Sequence, residues 1–170
     1  MEKLLFIDSC IRGELSNTRK IALPLIEKLK EKYEVTTITI NDLKLDIVQE
    51  QLITERQKGN VPEYVVEWAN LIRNCDRLVI AAPFWDMSFP SSLKVFIELT
   101  SLFNITFAAN DKTCYGLCKC KKTLYITTRG MNIPTRDKLD GATPYLECLS
   151  HLWGLGPIEV LSAYNMDFVS

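Results

Sequence analysis

Hydrophobic positions along this 170-residue chain switch repeatedly between two periods. Residues 3–8, 34–40, 78–82, 122–128 and 158–163 are short aliphatic and β-branched runs of strand length. Leu78 to Ala82 is apolar without alternation, as expected of a central strand covered on both faces. Residues 34–40 alternate and read as an outer strand. Between these runs the period becomes helical. Ile21, Ala22, Leu25, Ile26 and Leu29 predict a helix over about 17–33, kinked by the internal Pro24. A short surface helix is expected within 47–58, and Pro62 opens a helix carrying Val65, Val66, Trp68, Ala69, Leu71 and Ile72. Leu93, Phe96, Ile97, Leu99 and Leu102 predict a helix over 90–103. A last helix over 145–152 starts at Thr143-Pro144 and is closed by Gly154 and Gly156. Residues 104–121 read as a long loop.

Strand and helix thus alternate as βαβαβαβαβ at crossover spacing, which predicts an α/β domain with a parallel sheet between two helical layers. The length suits one domain over 1–170. With strand order 2-1-3-4-5, the order reverses between the first and third strands, and ligands bind beyond the strand ends at such a point. The loops flanking it are residues 9–17 and 83–88.

Composition changes this picture little. A formal charge of −1 with one histidine offers no basic footprint for nucleic acid, and no apolar run reaches membrane-spanning length. The opening MEKLLFI is too short for a signal peptide, so a soluble cytoplasmic protein with free thiols is expected.

The loops carry the chemistry. The first, SCIRGELSNT, offers hydroxyls from Ser9, Ser16 and Thr18, the cation Arg12, a flexible Gly13 and a helix start. This fits a phosphate cradle, and equally an ordinary N-cap at Ser16. It is neither a P-loop nor a dinucleotide fingerprint. After the central strand, Pro83, Phe84, Trp85, Asp86 and Met87 place two large aromatics where a turn is usually polar. They form either the wall for a flat ligand or a plug over the core. Thr127, Thr128, Arg129 and Gly130 form a donor-rich strand end or a plain turn with a solvated arginine. Phosphate, aromatic and donor loops together describe a mononucleotide site.

These segments also resemble the flavodoxin-like family of FMN-dependent NADH:quinone and azo-dye reductases. The resemblance runs through Ser9, Arg12-Gly13 and Ser16-Asn17-Thr18, the APFWDM block with Phe89-Pro90 and Leu93-Lys94, Thr106-Phe107, Gly116-Leu117, ITTRG at 126–130 and TPYL at 143–146. It implies a flavodoxin-like three-layer sandwich with a five-stranded parallel sheet in order 2-1-3-4-5. The implied cofactor is FMN, with NAD(P)H as co-substrate and quinones or azo and nitroaromatic compounds as small-molecule acceptors in a ping-pong reaction. By the same resemblance Ser9, Arg12, Ser16, Asn17 and Thr18 correspond to the phosphate loop. Pro83, Phe84, Trp85, Asp86 and Met87 would lie along the ring and ribityl chain, and Thr127, Thr128, Arg129 and Gly130 at the pyrimidine edge. A homodimer with the flavin near its interface is implied. No catalytic acid or nucleophile, metal, nucleic acid or membrane is expected.

Departures from the family pattern single out particular residues. Asp86 stands where asparagine is usual, so its direction relative to the ring matters. Met131 replaces a second glycine and makes any left-handed backbone there costly. Ala109 replaces an aromatic beside the substrate pocket. Cys10 would make the first loop oxidation-sensitive. The chain ends at Ser170, where the family continues into a final helix, and the expectation is an enlarged dimer contact over the uncovered sheet.

Three other readings have less support. Cys114, Cys118 and Cys120 are too cramped, and lack an obvious fourth ligand, for a zinc or iron–sulfur site. His151 reads as a helix-surface residue. A tyrosine-phosphatase loop at Cys10 would need arginine where Ser16 stands. The alternative from another class is a catalytically weak flavodoxin-like binding or interaction module.

Overall fold

A computed structural model describes residues 1–168. The end at Ser170, on which the expectation of a missing final helix turns, lies outside the described residues. In chain order the elements are β1 (Glu2–Asp8), α1 (Asn17–Leu29), β2 (Tyr33–Thr39), α2 (Glu50–Gln57), α3 (Glu63–Asn74), β3 (Arg77–Ala81), α4 (Ser91–Thr100), β4 (Phe107–Ala109), β5 (Cys114–Gly116), β6 (Lys122–Thr128), α5 (Thr143–Trp153) and β7 (Ile158–Ala163). The main sheet has five parallel strands in order β2-β1-β3-β6-β7, the flavodoxin order.

Strand parity explains the missing alternation in the central strands. Successive side chains point to opposite faces, and here both faces are covered. Leu4, Phe6, Val79, Ala81 and Ile126 pack under Ala22 and Ile26 of α1. Leu5, Ile7, Leu78, Ile80 and Tyr125 pack under Ile72, Leu93, Phe96, Leu146 and Trp153 of α3, α4 and α5. At the edge, β2 buries Ile38 and leaves Thr37 exposed on the opposite face, as its alternation predicted, but Thr36, on the Ile38 face, is exposed too because the edge is only partly covered.

The structure corrects several boundaries. Helix α1 ends at Leu29, because Tyr33 is taken by β2, where it pairs with Glu2. It runs unbroken through Pro24, which lies on its exposed side, where the freed carbonyl can meet water. The stretch 104–121 contains an antiparallel hairpin in which Ala108 faces Tyr115. Its turn is set by Asn110, whose Oδ1 accepts the N–H groups of Lys112 (2.9 Å) and Thr113 (3.0 Å). Gly154 closes α5 with φ +79°, the left-handed cap expected of glycine. Among the described residues no helix is long and apolar enough to cross a membrane.

Candidate functional site

The reversal between β1 and β3 opens a narrow cleft of about 110 Å³. Arg12, Ser16, Asn17, Pro83, Phe84, Trp85, Thr128 and Gly130 line it, drawn from all three loops singled out by the sequence. Ile11, Met166 and Asp167 complete the lining.

The first loop is shaped by short-range bonds. The Cys10 carbonyl accepts the Gly13 N–H at 2.8 Å and the Asn41 side-chain amide at 3.1 Å. Gly13 takes φ +53° with open space around it, so conformation rather than crowding calls for glycine. Ser16 caps α1, its Oγ accepting the Arg19 N–H at 3.3 Å. The N-cap reading therefore holds, and the same residue still faces the cleft. Beneath the loop, the buried Asp8 carboxylate pairs with Arg19 at 2.8 Å. Burial, then the Asp8 charge, pushes the Cys10 thiol up to about 12. Burial and the raised thiol disfavour the thiolate that oxidation requires at Cys10, which argues against the expected sensitivity.

The second loop is a two-residue hairpin. Trp85 and Ser88 exchange both backbone bonds, at 2.9 and 3.0 Å. Asp86 (φ 48°) and Met87 (φ 62°) both occupy the left-handed region, the signature of a type I′ turn. Asparagine and aspartate tolerate this conformation better than other side chains, so Asp86 here serves the turn. Asp86 is exposed and lines an adjoining hollow of about 810 Å³ with Ser88, Phe89, Lys94 and Tyr145, which shares Phe84 and Trp85 with the cleft. Phe84 and Trp85 line both the narrow cleft and this hollow, Asp86 lines the hollow only, and Met87 lines neither. Met131 avoids the left-handed region, and Ala109 lines neither hollow.

At the third loop Arg129 is fully buried rather than solvated. Its guanidinium pairs with the Asp140 carboxylate at 2.9 Å and donates to the carbonyls of Ile133 (2.9 Å) and Pro134 (3.0 Å). The same guanidinium stacks behind the Phe84 ring, 4.6 Å from its centre. Arg129 is therefore not part of the cleft surface. Asp140 in turn accepts the N–H groups of Arg136 (2.8 Å), Ala142 (3.1 Å) and Thr143 (3.1 Å), capping α5. Burial would raise the Asp140 pKa, but these donors and Arg129 outweigh it and hold the carboxyl at about 2.

Thr18 is also withdrawn from the cleft. Its Oγ1 accepts the Thr128 N–H at 3.2 Å and bonds the Thr128 hydroxyl at 2.7 Å, riveting α1 to β6. Ser9, just past β1, and Thr127, near the end of β6, are fully buried, and their hydroxyls have no partner within the protein. Such groups are costly unless satisfied. Residues 165–168 fold back over the strand end: Met166 N–H reaches the Arg129 carbonyl (3.0 Å) and Asp167 N–H the Gly130 carbonyl (3.3 Å). A Cβ at Gly130 would meet the carboxylate of Asp167, an exposed side chain free to swing aside. Among the described residues no three His, Cys, Asp or Glu side chains gather as a metal site.

The comparisons with known proteins agree with this geometry. The flavodoxin-like fold family matches residues 2–170. An FMN-dependent NADH:quinone oxidoreductase 2 of Clostridium acetobutylicum is 31% identical, with 99% of this chain and 89% of the relative aligned. An FMN-dependent NADH:quinone oxidoreductase of Clostridium perfringens is 26% identical over 98% of this chain and 88% of its own. Among solved structures, an FMN-dependent NADH-azoreductase of Bacillus anthracis in complex with FMN superposes with a TM-score of 0.86 at 19% identity, covering 100% of this chain and 90% of the other. An azoreductase of Bacillus anthracis gives 0.85 at 19% identity, with coverages of 99% and 89%. The chain belongs to the flavodoxin-like family and, within it, to the FMN-dependent NADH:quinone oxidoreductases.

Proposed function

We propose that this chain is an FMN-dependent oxidoreductase that passes electrons from NAD(P)H to quinones or azo and nitroaromatic acceptors. One observation carries the reading. The cleft at the sheet reversal joins the start of α1, with Ser16, Asn17 and Arg12, to the aromatic pair Phe84 and Trp85. The residues fit a flavin mononucleotide. Helix-start N–H groups and Arg12 suit a phosphate, and the unpartnered Ser9 and Thr127 hydroxyls supply buried polar atoms that lack a partner within the protein. The enclosed volume of about 110 Å³ suits a phosphoryl group, leaving a three-ring system to lie against the open rim at Trp85. Bound FMN supplies the two-electron chemistry, accepting hydride and returning electrons to an acceptor. The chain's residues bind and orient it: the Phe84 wall is backed by the Arg129 cation and fixed by the Trp85–Ser88 turn.

The reading extends to a homodimer in the cytoplasm, where pyridine nucleotides are available. Its support is the apolar rim beside the cleft, where Trp85, Met87 and Leu139 are about half exposed and Met87 is tied to Gly141 at 2.8 Å. Size-exclusion chromatography with light scattering tests this; a clean monomer at micromolar concentration would contradict it.

Ser9→Ala tests the cofactor site. Removing an unsatisfied buried hydroxyl leaves the flavin-free protein at least as stable, while FMN binding weakens about tenfold. Unchanged FMN affinity would remove Ser9 from the site.

A further inference from the structure

We propose that Cys75 and Cys120 form a dithiol site, separate from the cofactor cleft, which a hydroperoxide converts into a disulfide. The backbone brings them together. Parallel pairing of β3 with β6 sets Arg77 beside Lys122, and each cysteine lies two residues upstream of its partner in that pair. The pairing continues past the strand starts: Lys121 N–H reaches the Asp76 carbonyl at 2.9 Å and Lys119 N–H the Arg73 carbonyl at 2.8 Å. These two bonds bracket Cys120 against the chain at Cys75. Neighbouring strands lie about 4.8 Å apart, within the Cα separation a disulfide spans. Both side chains enter the same core cluster, beside Ile72, Leu78 and Leu155.

Their surroundings distinguish this pair from the other thiols. The Cys75 thiol donates to the Ile72 carbonyl at 3.3 Å and the Cys120 thiol to the Lys122 carbonyl at 3.2 Å. The neighbouring Cys120, then burial, shifts the Cys75 thiol upward, and the neighbouring Cys75 draws the Cys120 thiol down to about 7. Cys118 is pushed up to about 12 by burial, and its thiol donates to the Thr106 carbonyl at 3.7 Å. One partner of the pair is therefore suited to attack and the other to resolve. A groove of about 470 Å³ between α3, β1 and β2, lined by Leu4, Thr36, Asn70, Leu71, Asn74 and Cys75, opens onto the Cys75 side of the pair, while Cys120 lies buried behind it.

The chemistry balances with one hydroperoxide. The Cys120 thiolate takes the terminal oxygen as the O–O bond breaks, giving a sulfenic acid and releasing an alcohol, or water from hydrogen peroxide. Cys75 sulfur then attacks the oxidised sulfur. The S–S bond forms, the S–O bond breaks, and the oxygen leaves as water with the Cys75 proton. The bridge joins the β3 and β6 entries, at the sheet end opposite the cofactor loops. Oxidation therefore raises stability while leaving flavin binding unchanged.

The test uses full-length protein with the exposed Cys114 and Cys148 replaced by serine, treated with hydrogen peroxide, alkylated after unfolding and peptide-mapped. The expected product is a Cys75–Cys120 linked peptide, two hydrogens lighter than its parts, reversed by dithiothreitol and accompanied by a melting temperature several degrees higher. Cys75→Ser in that background should instead carry Cys120 on to sulfinic acid. Full alkylation of both cysteines after peroxide, or a bond to Cys118 instead, overturns the proposal. The same mapping on the unsubstituted chain decides the matter if the double variant folds poorly. The result does not depend on whether flavin binds.

Discussion

The Arg129 guanidinium lies 4.6 Å from the centre of the Phe84 ring, so a buried cation backs the aromatic wall of the cleft. Its charge is balanced by Asp140, which also caps α5. One ion pair thus links the cleft wall to the helix that follows β6. Replacing only one member leaves an unpaired buried charge. Arg129→Met should cost about 3–5 kcal/mol in urea unfolding, and adding Asp140→Asn should recover part of that loss. Additive costs for the two substitutions would mean the pair does not act as a unit.

Acid stability should report on the same carboxylate. Asp140 has a folded pKa of about 2 against an ordinary value of 3.8. A lowered folded pKa stabilises above the unfolded value, and that stability disappears as pH falls from about 4 through about 2. Asp140→Asn should flatten the pH dependence of unfolding in that window by on the order of 2 kcal/mol. An unchanged slope would place the acid-labile group elsewhere.

Met87 bears the conformational strain of the Trp85–Ser88 turn. Its φ of 62° suits glycine, and the Asp-Gly pair is a favoured type I′ sequence. Met87→Gly should therefore stabilise the flavin-free protein by about 1 kcal/mol, read as a rise in the urea midpoint. A fall would show that the Met87 side chain contributes more through packing than the turn loses to strain.

Ser16 has two roles to separate, helix cap and phosphate contact. Aspartate caps as well as serine does but repels a phosphate. Ser16→Asp should leave the urea midpoint within about 0.5 kcal/mol of the parent and weaken FMN binding at least about a hundredfold, a difference of about 3 kcal/mol. Retained FMN affinity would leave Ser16 with the cap alone.

The parts of the fold legible in the sequence were those set by local period. Leu78 to Ala82 read as doubly covered because both faces are covered, by α1 below and by α3 and α4 above. Residues 122–128 and 158–163 were read at their observed bounds. The hairpin β4–β5 was hidden because each strand has three residues, too few to show alternation. Cleft loops were legible through residue type, yet side-chain direction was not. Arg129 read as either a cofactor contact or a solvated turn residue, because its partner Asp140 sits in a polar stretch eleven residues on and only tertiary folding buries both. Thr18 looked like a ligand because its bond to Thr128 spans 110 positions. Met166 and Asp167 carried no signal, since the contact that brings them to Gly130 forms only after β7 is in place.

The central claim is that the cleft between Ser16 and Trp85 holds a redox-active FMN. Its most direct test is the visible spectrum of purified protein reconstituted with FMN. An absorbance band near 450 nm should stay with the protein through gel filtration, be bleached by NADH or NADPH without oxygen, and return on adding a quinone. Protein that remains colourless after reconstitution, or whose retained flavin neither nucleotide bleaches, would contradict it.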